Sequence, residues 1–531
     1  VRTARRIIQI AFLSAFLALL VGTRYTGTDE IRYPVKVFLE IDPLVGISTF
    51  LAAHWIPSML LLGLVLVGVT VLLGRVFCGW ACPLGTLLHA VLVLGRPRSS
   101  TPQGQWRPWQ SWKYLILVAI LVLSILGLNI SGFMDPMSVA VRSMALSIGP
   151  TLEAVAGAII GFAYDIGGPL GSAAEASYAF LRGRLLSFEQ PHFAQALFIG
   201  ALFVAVFALL WIAARFWCRA LCPLGALLGY LSRRSVLRLQ FDTELCTACG
   251  DCLAGCQGGA EPVLAEAEPD GLPGRGPGPV GSWRISECMH CWNCVESCPT
   301  EALSYKMSLR PASPPLDLGR RRLLAVTVGA AAAAPLLTVG LGRVRANPAL
   351  IRPPGALPEK DFLERCVKCG ECMKVCPTNG IHPTLMQAGL EGIWSPVMNF
   401  KAGYCEYNCT LCGQVCPTQA LKKLPLEEKV NFKIGLAFID TNRCLPYAYQ
   451  TPCIVCEEHC PTPTKAIWFE EKAVPTRDGG TQVLKLPHVD PEHCIGCGIC
   501  EYKCPVVDKP AIYCTSAGET RNPDNRPLLG L

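Results

Sequence analysis

Charge is scarce in this chain. Asp, Glu, Lys and Arg make up 16% of its 531 residues, against about 25% in an ordinary soluble domain, which excludes a conventional water-facing surface along the whole length. An excess of one sign is lacking too. The formal net charge is +7, but residues 343–531 carry 21 basic and 20 acidic side chains and the basic excess lies upstream, so there is no basic face for nucleic acid. Of only eight histidines, His54, His89 and His192 alone fall near the ends of apolar stretches. That leaves out the facing histidine pairs of a di-haem membrane centre. The chain also lacks a phosphate-binding loop, a dinucleotide fingerprint, a catalytic-triad signature and an FMN-domain sequence.

What is present is apolar length and sulfur. Hydrophobic residues make up 51% of the chain, and five stretches, at 7–23, 56–74, 114–133, 193–214 and 323–342, approach or reach the ~20 residues that cross a bilayer as helix. With a cytoplasmic N-terminus, the inner segments hold 20 Lys and Arg and the outer loops 6, the asymmetry expected of that orientation. A sixth apolar segment, 143–164, follows the same composition with a shorter uncharged run and reads as interfacial. The first stretch, preceded by Arg5 and Arg6, reads as an uncleaved signal anchor. The fifth begins Gly-Arg-Arg-Arg-Leu-Leu at 319–324, like a twin-arginine export signal placed in mid-chain, and would carry the remainder outward. Val344-Arg345-Ala346 is a weak cleavage site that is expected to stay uncut.

The membrane half repeats itself. Arg75-Val76-Phe77-Cys78-Gly79-Trp80-Ala81-Cys82-Pro83-Leu84-Gly85 returns 140 residues later as Arg215-Phe216-Trp217-Cys218-Arg219-Ala220-Leu221-Cys222-Pro223-Leu224-Gly225. Each copy is preceded, one outer loop earlier, by an Asp-Pro step, Asp42-Pro43 and Asp135-Pro136. The pattern is two helical hairpins of one design. Cysteines four apart share a helical face, and the proline breaks the helix after the second. Cys78, Cys82, Cys218 and Cys222 would then meet near one axis. They are candidate ligands of an iron ion or a further iron–sulfur centre; redox-active thiol pairs and buried packing cysteines are the alternatives.

The 29 cysteines cluster tightly, which speaks for metal binding and against a secreted disulfide scaffold. Cys246, Cys249, Cys252 and Cys256 follow C-x2-C-x2-C-x3-C, and Cys288, Cys291, Cys294 and Cys298 repeat it with Pro299 next. In such modules the fourth cysteine of each run ligates the other cluster, so one cluster takes Cys246, Cys249, Cys252 and Cys298 and the other Cys288, Cys291, Cys294 and Cys256. Gln257 stands where a proline is expected, and the Gly- and Pro-rich insert 257–284 reads as a surface loop. Four more runs follow: Cys366, Cys369, Cys372 and Cys376; Cys405, Cys409, Cys412 and Cys416; Cys444, Cys453, Cys456 and Cys460; Cys494, Cys497, Cys500 and Cys504. All end in Cys-Pro. Zinc also takes four cysteines, but from separated C-x2-C pairs. The runs thus call for six [4Fe-4S] clusters and leave Cys514 without a role.

The fold class expected is a membrane α-helical domain at 1–238 and a two-cluster ferredoxin-like α+β domain at 239–310. A linker and fifth helix follow at 311–345, then a four-cluster domain at 346–531. A lipid-soluble partner, the quinol pool, suits clusters rooted in a membrane, and Asp42, His54, Asp135 and Arg142 are candidates to guide its protons at the outer surface.

These residues carry a resemblance. The hairpins with their C-x3-C-P motifs and the following ferredoxin module resemble the NapH-type membrane ferredoxins and the membrane core of NosR. Arg352-Pro353-Pro354-Gly355-Ala356-Leu357-Pro358-Glu359, Phe362-Leu363 before Cys366, and Arg443-Cys444-Leu445 are similar to the NapG-type ferredoxins. The outer runs also resemble four-cluster ferredoxin subunits of molybdenum respiratory enzymes, where the first run pairs with the fourth and the second with the third. By that resemblance Cys504 joins Cys366, Cys369 and Cys372, and Cys376 joins Cys494, Cys497 and Cys500. Likewise Cys460 joins Cys405, Cys409 and Cys412, and Cys416 joins Cys444, Cys453 and Cys456. The resemblance implies a quinol dehydrogenase module of the bacterial cytoplasmic membrane. Its first ferredoxin domain would be cytoplasmic and its last domain periplasmic, and it would pass electrons to a periplasmic reductase or c-type cytochrome, alone or within a multi-subunit respiratory complex. An assembly factor for a respiratory metalloenzyme and a relay subunit without its own quinol site are the alternatives.

Overall fold

The computed structural model describes all residues except 56–57, 96–105, 183–185, 188–189, 243–244, 248, 261–282, 309–317, 339–346, 476–479 and 526–531. Most of the 257–284 insert, most of the 311–319 linker, the Val344–Ala346 site and the end of the fifth apolar stretch therefore lie outside the described residues. The chain divides into two compact units, Val1–Leu20, Val37–Val141 and Gly200–Pro335 in one, Val21–Lys36, Arg142–Ile199 and Leu336–Leu531 in the other. This division departs from the linear boundaries read in the sequence. The segments 21–36 and 142–199, which fall mostly within the outer loops expected at 24–55 and 134–192, pack with the C-terminal cysteine runs. Asp29 accepts from Thr410 N and Oγ1 at 2.7 Å each, and Gln195 donates to Pro383 O at 3.0 Å.

The first unit is helical because its apolar runs leave no polar alternative to internal backbone hydrogen bonding. Among the described residues four helices are long and apolar enough to cross a membrane: Arg2–Gly22, Pro108–Ile125, Pro136–Ile166 and Arg320–Thr338. The stretches expected at 56–74 and 193–214 form shorter apolar helices, Leu60–Leu73 and Ala196–Trp211. The segment expected at the interface, 143–164, is instead part of a continuous 31-residue helical run. Within that run Met144–Ile148 is a π-helical turn, which lets the run pass Pro150 without breaking. Gly167 then turns it into a returning helix, Gly168–Leu181.

The C-x3-C-P motifs do not keep both cysteines on one helical face. Cys78 lies in the short helix Val76–Trp80, whereas Cys82 accepts from Gly85 N at 3.4 Å, so its thiol sits at the start of the helix Pro83–Gly95. In the second copy Cys218 lies in a π-helical turn, Trp217–Leu221, and Cys222 caps Pro223–Ser232 by accepting from Gly225 N at 3.2 Å. The proline is the cause: with no N–H it is tolerated at the first helical position, and the residue before it must leave the α region.

Strand Leu237–Phe241 pairs antiparallel with Leu303–Met307, from Leu237 opposite Met307 to Phe241 opposite Leu303. It closes the first ferredoxin module over a core of Leu239, Ala260, Trp283, Cys294 and Leu303. In the second unit the described regular structure after residue 346 is short. The helices there have four to seven residues, as in Glu359–Arg365 and Leu411–Gln414, and the three sheets have two strands each.

Candidate functional site

Each cysteine run wraps a turn that opens a four- or five-residue helix, as in Asp251–Ala254, Glu371–Lys374 and Ile499–Lys503. Glycines at 250, 370 and 498 take positive φ just before these helices, a conformation glycine adopts without penalty. The turn points three thiols inward, and the fourth arrives from a Cys-Pro step elsewhere.

In the first module the fourth ligands cross as expected. Cys298 neighbours Cys252 with Cys246 and Cys249, while Cys256 neighbours Cys294 with Cys288 and Cys291. In the second unit the expected pairing is wrong. Cys416, not Cys504, lines one cavity with Cys366, Cys369 and Cys372. Cys376 neighbours Cys412 with Cys405 and Cys409. Cys504 lines a cavity with Cys444, Cys453 and Cys456, and Cys460 another with Cys494, Cys497 and Cys500. The first run therefore pairs with the second and the third with the fourth, giving two consecutive two-site modules. The reason is local chain closure. Cys376 and Cys405 are separated by 28 residues, Cys376 and Cys494 by 117, and closing the shorter loop costs about 1 kcal/mol less.

The cavities fit iron–sulfur clusters better than single ions. Among the described residues no group of three or more His, Cys, Asp or Glu side chains is placed to hold one metal ion. A single ion draws its thiolates in to ~2.3 Å, whereas a cubane puts iron and sulfide between them and needs a wider ring. The groups are also joined. Cys372 lies near Cys412, Cys405 N donates to Cys497 O at 2.9 Å, and Cys456 lies near Cys500, which sets the four outer groups in one series. Cys514, left without a role by the sequence, borders the cavity of the fourth run from the strand Ile512–Thr515.

Cys78, Cys82, Cys218 and Cys222 converge, each within electrostatic range of others in the set. Two fully buried guanidiniums cross between the copies: Arg75 donates to Cys78 Sγ at 3.3 Å and Cys218 O at 3.1 Å, and Arg215 donates to Cys78 O at 3.0 Å. Sequence reading missed these arginines, although both stand three residues before the first cysteine of each repeat. The single-ion geometry expected of an iron ion at these thiols is not formed among the described residues.

The first ferredoxin module is held on the hairpin ends by a buried cluster. Glu287 accepts from Lys113 Nζ at 2.5 Å, Tyr114 OH at 3.0 Å and Gln110 Nε2 at 3.2 Å. Trp80 Nε1 donates to His290 O at 2.8 Å, and Gly74, at φ +77°, leaves the room the His290 ring fills. Removing one partner of a buried ion pair costs about 3–5 kcal/mol. Glu287→Ala is therefore expected to expose the 283–307 segment to protease at a temperature where the parent chain resists, and Glu287→Gln to lose less.

Of the four residues expected to form a quinol site, only two are brought together. Asp42 and Asp135 are buried and within electrostatic range of each other, each with one oxygen that no other group bonds. Each also caps a helix: Asp42 Oδ1 accepts from Leu44 N and Asp135 Oδ2 from Ser138 N, at 2.8 Å each. His54 ends the helix that Asp42 begins, twelve residues away, with an exposed side chain. Arg142 donates to Lys368 O at 3.0 Å and stacks on Trp394 at 4.2 Å. The Asp-Pro step that starts both helices places the two carboxyls at matching N-caps. Burial raises both above the ordinary carboxylate range, Asp42 the further. A raised acid stabilises the fold most at low pH and loses that contribution as pH rises through its folded value. Asp42→Asn keeps a donor for Asp135, and thermal unfolding of the variant in detergent is expected to depend less on alkaline pH than that of the parent.

Comparison with known proteins follows the same division. The family described as "4Fe-4S binding domain" matches residues 55–102 and 193–241, the two C-x3-C-P segments, and a second family of that description matches 487–507. Three families described as "4Fe-4S dicluster domain" match 238–299, 287–381 and 364–420; the last spans the first and second outer runs that the structure pairs. The ferredoxin-type protein NapG of Escherichia coli is 34% identical over 201 residues, 36% of this chain and 84% of NapG. The methylamine utilization ferredoxin-type protein MauM of Methylorubrum extorquens is 32% identical over 233 residues, 41% of this chain and 99% of MauM. The putative electron transport protein YccM of Escherichia coli is 26% identical over 291 residues, 52% of this chain and 65% of YccM. No solved structure matches. Cysteine runs, paired cavities and these relatives agree, and the chain belongs to the family of ferredoxin-type iron–sulfur electron-transfer proteins that includes NapG and MauM.

Proposed function

We propose that this protein oxidises quinol at the bacterial cytoplasmic membrane and relays the electrons singly through six [4Fe-4S] clusters to a periplasmic reductase or c-type cytochrome. The observation that carries the reading is the joining, in one chain, of serial four-cysteine groups with helices long and apolar enough to cross a bilayer. Clusters supply the one-electron chemistry when bound; the chain's own task is to hold them at short spacing, exclude water and set their surroundings. In this reading the membrane half is NapH- and NosR-like, the first ferredoxin module is cytoplasmic, and the last domain is periplasmic. The count of basic residues and the Gly-Arg-Arg-Arg-Leu-Leu segment that opens Arg320–Thr338 support that orientation. The four hairpin thiols, beside the module's Cys291 through the shared neighbour Arg215, would hold a further iron–sulfur centre.

The test is anaerobic mixing of the full-length, cluster-loaded protein with a reduced quinol analogue, followed by electron paramagnetic resonance. Rapid appearance of reduced clusters is the expected result. No reduction by quinols that span the potential range of natural pools, in protein that dithionite does reduce, would exclude quinol oxidation and favour a relay subunit.

A further inference from the structure

Resting on the reading of quinol as electron donor, we infer that the quinol ring binds at the end of the first helix. The site is an open cleft lined by Arg24, Tyr25, Ser187, Lys374, Cys376 and Asn379. It is not the carboxyl pair at Asp42 and Asp135.

Three observations converge on the cleft. The first is electronic. Cys376 lies on its wall and belongs to the group of Cys405, Cys409 and Cys412, so a ring seated there is one cysteine side chain away from a cluster. That group is also an inner member of the outer series, with neighbours on both sides through Cys372 and Cys497. The second is electrostatic. Arg24 and Lys374 approach the cleft from different segments and have Glu153 as a common countercharge. Glu153 in turn accepts from Ser187 N at 3.2 Å and lies 3.4 Å from Ser187 Oγ. Two cations stabilise the negative charge that develops on a ring oxygen as its proton leaves, and a carboxylate beside them is an acceptor for that proton. Asn379 donates to His192 O at 2.9 Å and contacts His192 Nδ1 at 3.3 Å, which sets an imidazole behind this lining residue, next in sequence to the lining Pro191, as a second acceptor. The third is access. Arg24 lies two residues beyond the apolar helix Arg2–Gly22. Ser187 follows the helical hairpin Gly149–Ile166 and Gly168–Leu181, which exposes Leu152, Ile159, Phe162 and Phe180 by 61–70%. Apolar surface of that extent suits lipid and gives a lipid-soluble ring its path.

The reaction balances on these parts. Both quinol O–H bonds break; the two protons pass to Glu153 and His192 and then to water. The one-electron acceptor would be the cluster that Cys376 would hold with Cys405, Cys409 and Cys412, and the adjoining cysteine groups would hold the clusters that take the first electron on before the second leaves the ring.

The test uses the full-length holoprotein in nanodiscs of phosphatidylethanolamine and phosphatidylglycerol, photolabelled anaerobically with an azidoquinone, then mapped by peptide mass spectrometry. Labels in the peptides around 24–25, 187–191 and 374–379, competed away by excess duroquinol, are the expected result. Arg24→Gln and Lys374→Gln are each expected to slow cluster reduction by duroquinol about ten- to a hundredfold, the worth of one charge-assisted hydrogen bond. The dithionite-reduced spectrum, unchanged, shows that the variants fold. Labels at the helices starting at Pro43 and Pro136, with parent rates in both variants, would overturn the location while leaving quinol oxidation intact. Label that duroquinol does not displace and that varies with phosphatidylglycerol content would make the cleft a lipid headgroup site and overturn the proposal. A parent protein that no quinol reduces would overturn the underlying reading instead.

Discussion

Cys416→Ser is expected to remove or convert the cluster of the first outer run, that of Cys366, Cys369 and Cys372, and to leave the cluster of Cys444, Cys453 and Cys456 intact. Cys504→Ser is expected to do the reverse. The prediction follows from which thiol completes each cavity. Loss of one thiolate leaves an iron corner without its protein ligand, so a cubane either falls to a three-iron form or is lost. Combining variants sharpens the test, because two substitutions at one cluster are redundant whereas substitutions at two clusters add. Cys416→Ser with Cys372→Ser should lose no more iron than one cluster holds, about four atoms per chain. Cys416→Ser with Cys456→Ser should lose twice that. The opposite pattern in iron analysis and paramagnetic resonance would restore the pairing of first run with fourth.

Removal of iron is expected to unfold the C-terminal part of the chain outright and to spare the long apolar helices. The described helices beyond residue 346 have at most seven residues, and isolated helices shorter than ~12–15 residues are marginal in water. The sheets there have two strands each, which do not stand alone. Much of what is buried is sulfur: Cys366, Cys369, Cys412, Cys444, Cys460, Cys494, Cys497, Cys500 and Cys514 all fall in the core. Without clusters these thiols surround empty space, and the binding energy of the cluster is folding energy, as in other small metal-built domains. Anaerobic chelation should therefore abolish the far-ultraviolet signal of the strands and open residues 347–525 to protease. Arg2–Gly22, at 21 residues, keeps its own hydrogen bonds in lipid or detergent and should stay helical. A chain that remains compact and protease-resistant after iron loss would show that side-chain packing alone holds this region.

The carboxyl pair illustrates how far local reading reaches. Asp42-Pro43 and Asp135-Pro136 were visible as equivalent steps, and their N-cap role follows from residue type. That the two side chains meet, while His54 and Arg142 take other partners, depends on how the two hairpins are turned toward each other. Glu287 gave no local signal at all: it is a carboxylate beside a cysteine run, and its partners Gln110, Lys113 and Tyr114 are more than 170 residues away in the chain.

That the cysteine runs belong to 4Fe-4S domains was legible from the amino-acid sequence alone, because a cluster selects thiolates and a short loop must wrap it, so chemistry and spacing are written in adjacent residues. So were three of the five apolar stretches, those at 7–23, 114–133 and 323–342, since a bilayer demands a run of fixed length, and the crossing of fourth ligands in the first module. The tertiary structure decided which outer runs pair, that the helical run 136–166 continues through the segment read as interfacial, and that residues 21–36 and 142–199 belong to one compact unit with the C-terminal cysteine runs. Each of these depends on contacts between segments far apart in the chain. The free energies that select them are differences of loop closure and packing summed over the whole fold, and no single stretch of residues encodes such a difference.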